Sequence, residues 1–336
     1  MFVSVIIRTY NRGYIIADAI DSALNQTYTN FEIVVVDDGS TDNTDRIVAQ
    51  YKNPKVRYVR HPKNRGVAVA GNTGIKESLG TVIALLDSDD LWKPHKLERQ
   101  IAVLESHLDV DVVFSDVELH DGGRRFSSTM GFMHRFPEII ASQPEQQTYI
   151  LGAREMYLCL LQEVPIKTNS VIMRRSALDQ TGYFDESSKS GEDWELFLRL
   201  ARSAGFAYIK EPLAIQRRLS DSTHDKFKVQ DKAFLLDRFL SEKLRVTNDP
   251  EALAAVRRGI SGHYNNLGYH YLFSRQRRQA VSAYWNAFQE TGERMFLVRA
   301  AAVCLPLDLR TALKSLVRGD EPDTRTDGPN PNVSPL

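Results

Sequence analysis

Short apolar and β-branched runs punctuate the first 120 positions of the chain: "FVSVII" at 2–7, "FEIVVV" at 31–36, "VRYV" at 56–59 and "TVIALL" at 81–86. Near-continuous apolar runs of this length predict strands buried on both faces, rather than strands with one wet side. Between them, 14–25, 42–51 and 66–79 carry apolar residues at helical spacing. The alternation predicts an α/β fold, a mostly parallel central sheet flanked by helices. Such sheets bind ligands in the crevice beyond the carboxyl ends of their strands. The residues just past each strand are therefore the ones to inspect.

Further along, "VDVVFSD" (110–116) and "TNSVIMRR" (168–175) predict two more strands. "EDWELFLRLARSAG" (192–205) predicts an amphipathic helix stopped by Gly205, with Trp194, Phe197, Leu198 and Ala201 on its buried face. The stretch 120–150 is rich in Gly, Ser, Gln and Pro and predicts loops forming a flexible lid. From about 225 to 319 strand signals vanish and helical spacing takes over, with 267–293 resembling one helix–turn–helix unit of tetratricopeptide type. The tail 320–336 is nearly devoid of apolar residues and predicts disorder. The expected organisation is a first domain over 1–224, a helical region over 225–319 and the tail.

Three polar clusters sit at strand ends: "RTYNR" (Arg8–Arg12), "DDGSTDNT" (Asp37–Thr44) and "DSDD" (Asp87–Asp90). A turn at Gly39 and Ser40, with Thr41 or Asp42 capping a helix, accounts for part of the second. It does not account for paired acids at two separate strand ends, where carboxylates repel unless a cation neutralises them. No G-x-x-x-x-G-K-[ST] or strand-linked G-x-G-x-x-G is present, so the usual glycine cradles for phosphate are missing. A carboxylate cluster without nearby His or Cys pairs suits a hard cation, Mg²⁺ or Mn²⁺, of the kind that bridges protein carboxylates to a substrate diphosphate. The pattern points to a nucleoside diphosphate site that relies on metal.

Taken in order, "VSVIIRTYNR", "FEIVVVDDGSTDNT", "NRGVAVAGNTG", "ALLDSDDLWKPHKLERQ" and "TGYFDESSKSGEDWELFLRLA" resemble family 2 glycosyltransferases with the A-type fold over roughly 1–222. The resemblance implies a nucleotide site lined by Thr9, Tyr10, Asn11 and Arg12, with Asp38 and its neighbour Asp37 on the base or ribose. It implies that Asp87, with Ser88 beside it, approaches the ribose and metal, and that Asp89 is the principal metal ligand. Asp193 in "GEDW" matches the family's catalytic base, with Glu192 next to it. Two departures stand out. Gly71 occupies the place of an arginine in the family's "ARN", leaving Arg65 or Arg12 to supply that cation. Leu219 occupies the place of the histidine of "RxH", with His224 five residues on as the substitute metal ligand. The implied activity is inverting transfer of a sugar, from a UDP-sugar by family frequency, to a glycan or lipid-linked acceptor. A non-catalytic relative that binds nucleotide sugar or scaffolds a partner is the alternative; a nucleotidyltransferase is a weaker third, since "RTYNRGY" is not its Gly- and Lys-rich loop.

Bulk composition changes this picture little. Charge balances at 43 basic and 43 acidic residues among 336, which gives no reason to expect nucleic acid as a partner. Two cysteines cannot build a disulfide framework and suit a reducing cytosol. "FVSVII" directly after Met1, without a charged n-region or cleavage site, predicts no secretory signal, and no 18-residue apolar run predicts a membrane span. The expected location is cytoplasmic. Residues 251–319 hold ten basic and four acidic residues, a surplus of six. That surplus, with the apolar spacing of 294–319, suggests a peripheral contact with anionic lipid on the inner membrane face. An ordinary packing helix pair is the plainer alternative.

Overall fold

The computed structural model describes residues 1–188, 190–219 and 229–304. The chain divides into two compact units, Met1–Phe227 and Lys228–Leu336. The first unit opens with β1 (Val3–Thr9), α1 (Ile16–Leu24), β2 (Phe31–Asp37), α2 (Thr44–Val48), β3 (Val56–Arg60), α3 (Val67–Glu77) and β4 (Val82–Asp87). It continues with β5 (Leu91–Trp92), α4 (Lys96–Ser106), β6 (Val110–Asp121), β7 (Arg124–Phe126), α5 (Arg135–Ala141), β8 (Thr148–Leu151) and α6 (Ala153–Leu160). Last come β9 (Ile172–Arg174), α7 (Arg175–Thr181), α8 (Glu192–Leu200) and β10 (Gly205–Arg218).

Among the described residues the strands form one sheet of order β3-β2-β1-β4-β9-β6-β10-β5, with β7 on β6 and β8 on β10. The long ladders, β1 with β2 and β4, β2 with β3, and β6 with β10, are parallel. The antiparallel ladders are short, and one strand, β9, is wedged between β4 and β6. Both faces are covered, as the continuous apolar runs require. On one face Val3, Val5 and Ile7 share a core with Ile16, Ala19, Ile20 and Ala23 of α1 and Leu97, Ile101 and Leu104 of α4. On the other, Ile6 meets α3 so closely that a Cβ on Gly74 would lie 2.4 Å from its Cγ2. Each such fully buried aliphatic side chain contributes about 1.5–3 kcal/mol relative to exposure.

The second half departs from the sequence reading. The stretch 120–150 is not a loop lid: β6 runs on to Asp121, turns through Gly122 and Gly123 at φ 54° and 87°, and returns as β7. Helix α5 then buries Phe136 and Ile139, and β8 adds an edge to β10. Polar composition hid these elements because each buries only one face. The expected strand over 168–175 shrinks to β9, since Thr168–Ser170 form a 3₁₀ turn, and α8 ends at Leu200, before Gly205. Trp194, Phe197, Leu198 and Ala201 are buried as expected, at 3% exposure or less.

The second unit contains α9 (Val229–Arg245), α10 (Pro250–Phe273), α11 (Arg277–Thr291) and α12 (Arg294–Cys304). Asp249 caps α10 by accepting from the Ala252 amide at 3.0 Å, with Pro250 in the first turn, where proline is tolerated. The α10–α11 hairpin packs tightly: a Cβ on Gly268 would sit 2.7 Å from the Tyr284 ring. The described part of 294–319, α12, buries Phe296 and Val303 in the core it shares with Ala280, Tyr284 and Ala287 of α11. Among the described residues no helix is long and apolar enough to cross a membrane.

Candidate active site

Register brings the strand-end clusters together. Thr9 lies opposite Asp37, and Arg8 opposite Asp87, so the ends of β1, β2 and β4 share one edge of the sheet. The turn after β1 carries Asn11 at φ 53°, a left-handed conformation that asparagine tolerates better than most residues. Its Oδ1 accepts from the Thr41 amide at 2.8 Å, its own amide donates to Ser40 Oγ at 2.9 Å, and the Gly13 amide donates to Asp42 at 2.9 Å. The first and second clusters are thus laced into one loop pair, beside which Tyr10 is 43% exposed.

Asp37 and Asp38 hold this loop pair in shape. Asp37 is fully buried and accepts from the Ser40 amide and the Tyr58 hydroxyl. Asp38 accepts from the Arg65 and Gly66 amides at 2.8–3.0 Å and from His61 Nδ1 at 2.7 Å. Three donors on one carboxylate fix the backbone of 61–66, while the Arg65 side chain remains exposed. Thr9 Oγ1 is buried with no hydrogen-bond partner.

The "DSDD" turn separates its acids by environment. Asp90 is 4% exposed; it accepts from the Arg217 amide at 2.9 Å and from Asn169 Nδ2 at 2.7 Å. Burial, then repulsion from Asp87 and Asp89, pushes its carboxyl far above the usual range. Asp87 accepts from Arg8 at 2.7 Å, and Asp89 lies 3.8 Å from Arg12. Burial and then Asp87 also raise Asp89, with Arg12 opposing. Ser88 is buried within the turn. Trp92 and Leu97, which follow the turn, are buried. Among the described residues no three His, Cys, Asp or Glu side chains converge as a metal cage. Asp87 and Asp89, the two less buried acids of the turn, fit a cation such as Mg²⁺, which takes one or two carboxylates and completes its shell with water and substrate phosphates. His224 lies outside the described residues.

The second set of acids opens α8, where the helix dipole favours negative charge. Glu192 is 9% exposed and 3.4 Å from Arg8, and burial followed by Asp193 pushes its carboxyl up to about 7. Asp193 accepts from the Thr168 hydroxyl at 3.1 Å and from the Trp194 amide at 2.7 Å. The Thr168–Ser170 turn thereby links both halves of the site. Its Asn169 holds Asp90, its Thr168 holds Asp193, and Trp92 Nε1 and Gln100 Nε2 each donate to its carbonyls at 2.7 Å. Sequence reasoning missed His61, Thr168, Asn169 and Arg217, and placed Arg8 in the first polar cluster without giving it a role. Its signal is that of the one charge inside the buried run "VSVIIRT".

The glycosyl transferase family 2 pattern matches residues 4–182, more than half of the chain, and the chain belongs to that family. An uncharacterized glycosyltransferase of Rickettsia felis is 35% identical over 226 residues, 66% of this chain but only 34% of its own length. The chain thus spans about a third of that relative. The Escherichia coli UDP-Glc:alpha-D-GlcNAc-diphosphoundecaprenol beta-1,3-glucosyltransferase WfgD is 29% identical over 229 residues, 67% of this chain and 81% of that one. Staphylococcus aureus TarS 1-349, solved in complex with UDP-GlcNAc, superposes with a TM-score of 0.68 at 20% identity, covering 95% of this chain and 92% of that one, and shares the fold.

Proposed function

We propose that this chain is an inverting glycosyltransferase that moves a sugar from a UDP-sugar to a glycan or lipid-linked acceptor. The observation that carries the reading is the double grip of Arg8, at 2.7 Å from Asp87 and 3.4 Å from Glu192. It joins the strand-end acids suited to a nucleoside diphosphate with the helix start suited to a base. Support for the donor comes from the names of WfgD, which uses UDP-glucose, and of the TarS complex with UDP-GlcNAc. The undecaprenol-linked substrate in the name of WfgD favours the lipid-linked acceptor.

In this reading Thr9, Tyr10, Asn11 and Arg12 line the nucleotide, and Asp37 and Asp38 organise the loops that receive its base. Asp89 and Asp87 would hold Mn²⁺ or Mg²⁺, which when bound offsets charge on the leaving diphosphate. Asp193 accepts the proton of the acceptor hydroxyl as that oxygen forms its bond to the anomeric carbon. The bond from that carbon to the diphosphate breaks on the opposite face, which inverts the centre. Thr168 orients the Asp193 carboxylate, and Glu192, buried and paired with Arg8, is the lesser candidate for base. The enzyme works in the cytoplasm, in peripheral contact with the inner membrane face through 294–319. Calorimetric titration of UDP tests the site. Tight binding with Mn²⁺ and weak binding with EDTA is expected, and equal affinity in both overturns the metal assignment.

A further inference from the structure

Arg8 is an expensive residue to keep. It is 7% exposed, inside a strand whose other members are buried and mostly apolar, and its Nε has no hydrogen-bond partner. Such a guanidinium persists only where its charges are met. Two carboxylates from different parts of the chain meet it: Asp87 at 2.7 Å from Nη2, and Glu192 at 3.4 Å from Nη1. A planar fork can hold two acids at a fixed separation, which the single ammonium of lysine cannot.

The surroundings fix that fork. The guanidinium carbon lies 5.6 Å from the centre of the Phe184 ring. Phe184 cannot back away, because Asn72 binds its backbone on both sides, donating to its carbonyl and accepting from its amide at 2.9 Å each. The space for the ring comes from Gly71, next to Asn72 in α3. A Cβ at Gly71 would lie 2.8 Å from two ring carbons and 3.5 Å from Arg8 Cδ. Glycine inside a helix is unfavourable on its own, and here its missing side chain makes room for the ring and the arginine.

We propose that Arg8, seated by Phe184 and Gly71, is a positioning residue that sets the distance between the donor-side acid Asp87 and the helix start that carries Asp193. This rests on the proposed function, and the experiment separates the two. Release of UDP from UDP-glucose and UDP-GlcNAc is measured for wild type, Arg8→Met, Arg8→Lys, Gly71→Ala and Gly71→Ala with Phe184→Leu. Misplacement of about 1 Å can cost on the order of 100-fold. A loss of that size in kcat is expected for Arg8→Met, larger than its change in donor KM, with partial recovery in Arg8→Lys. Gly71→Ala, which touches no acid of the site, should lose activity and regain it when Phe184→Leu relieves the ring. Wild-type turnover by Arg8→Met, or no recovery in the Gly71→Ala, Phe184→Leu pair, overturns the proposal. Wild type that releases no UDP overturns the proposed function instead. The bridge is then still read from thermal unfolding of Arg8→Met, Glu192→Gln and the double variant. Melting losses that overlap support it, and losses that simply add overturn it.

Discussion

The two halves of the first unit differ in how they are built. From β1 to β4 the strands pair with one another in parallel and each is separated from the next by a helix, so local patterning and global fold agree. From β6 to β10 strands of three to fourteen residues run in both directions, and β9 enters the sheet between strands far from it in sequence. The first half carries the strand-end acids Asp37, Asp38, Asp87, Asp89 and Asp90, and the second carries Glu192 and Asp193. The proposed function joins a half that is locally determined to one assembled by long-range contacts, and perturbing either should leave a different signature.

The largest effect is expected in the second half. Asp193→Asn keeps the shape of the side chain but removes the proton acceptor. Transfer should fall about 10²–10⁴-fold, while UDP affinity by calorimetry stays at the wild-type value. A parallel loss of UDP affinity would move Asp193 into the donor side.

In the first half, Asp89→Ala should abolish the gain in UDP affinity that Mn²⁺ gives over EDTA. The expected loss exceeds the roughly 10–100-fold typical of removing a group that merely supports a metal ligand. A retained Mn²⁺ effect would shift the metal to other acids.

The seam between the halves is tested by Asn169→Ala. It removes the donor to buried Asp90 and should cost about 1–3 kcal/mol by denaturant unfolding. Transfer should fall as well, because the same turn carries Thr168. Unchanged stability would show that Asp90 needs no partner there.

The smallest effects are two pH slopes of opposite sign, each at most about 1.4 kcal/mol per pH unit for one proton. Glu192 is raised from 4.5 to about 7. The folded chain therefore binds more protons than the unfolded one between those values, and stability falls as pH rises through the window. Lys96 is fully buried, donating to Gln100 Oε1 at 2.7 Å and lying 4.1 Å from the centre of the Trp92 ring. Burial holds its pKa well below 10.5. Here the unfolded chain binds the extra proton, so stability is lost as pH falls. Glu192→Gln should flatten the first slope and Lys96→Met the second, read from melting temperature against pH. A slope that survives its substitution assigns the proton elsewhere.

Legibility divides along the same line. "FVSVII", "FEIVVV" and "TVIALL" announce their strands because both faces of each are buried, and the acids at their ends are located by strand polarity. Thr168 and Asn169 carry no signal, since their importance lies in partners 25 and 79 residues away. The family match ends at residue 182, so Glu192 and Asp193 rest on the resemblance of "GEDW" and on geometry. Asp37 and Asp38, expected on the nucleotide, direct their hydrogen bonds to the loops around them. Residue types at the edge of the sheet are legible from spacing alone. Only the fold shows which of these acids also hold a turn.

Strand β10 is paired with β8 along its first part and with β5 further on, and its register against β6 shifts between Ile209 and Pro212 and again between Pro212 and Ala214. A bulge absorbs extra residues locally and re-aims the strand beyond it. Past it, Arg217 reaches the "DSDD" turn, where its amide holds Asp90 and its guanidinium the Asp89 carbonyl, and it also meets Asp18 of α1. The irregularity works as insulation. Before it, the strand and its neighbours β8 and α5 can drift by mutation, insertion or exchange without rotating Arg217 away from the acids.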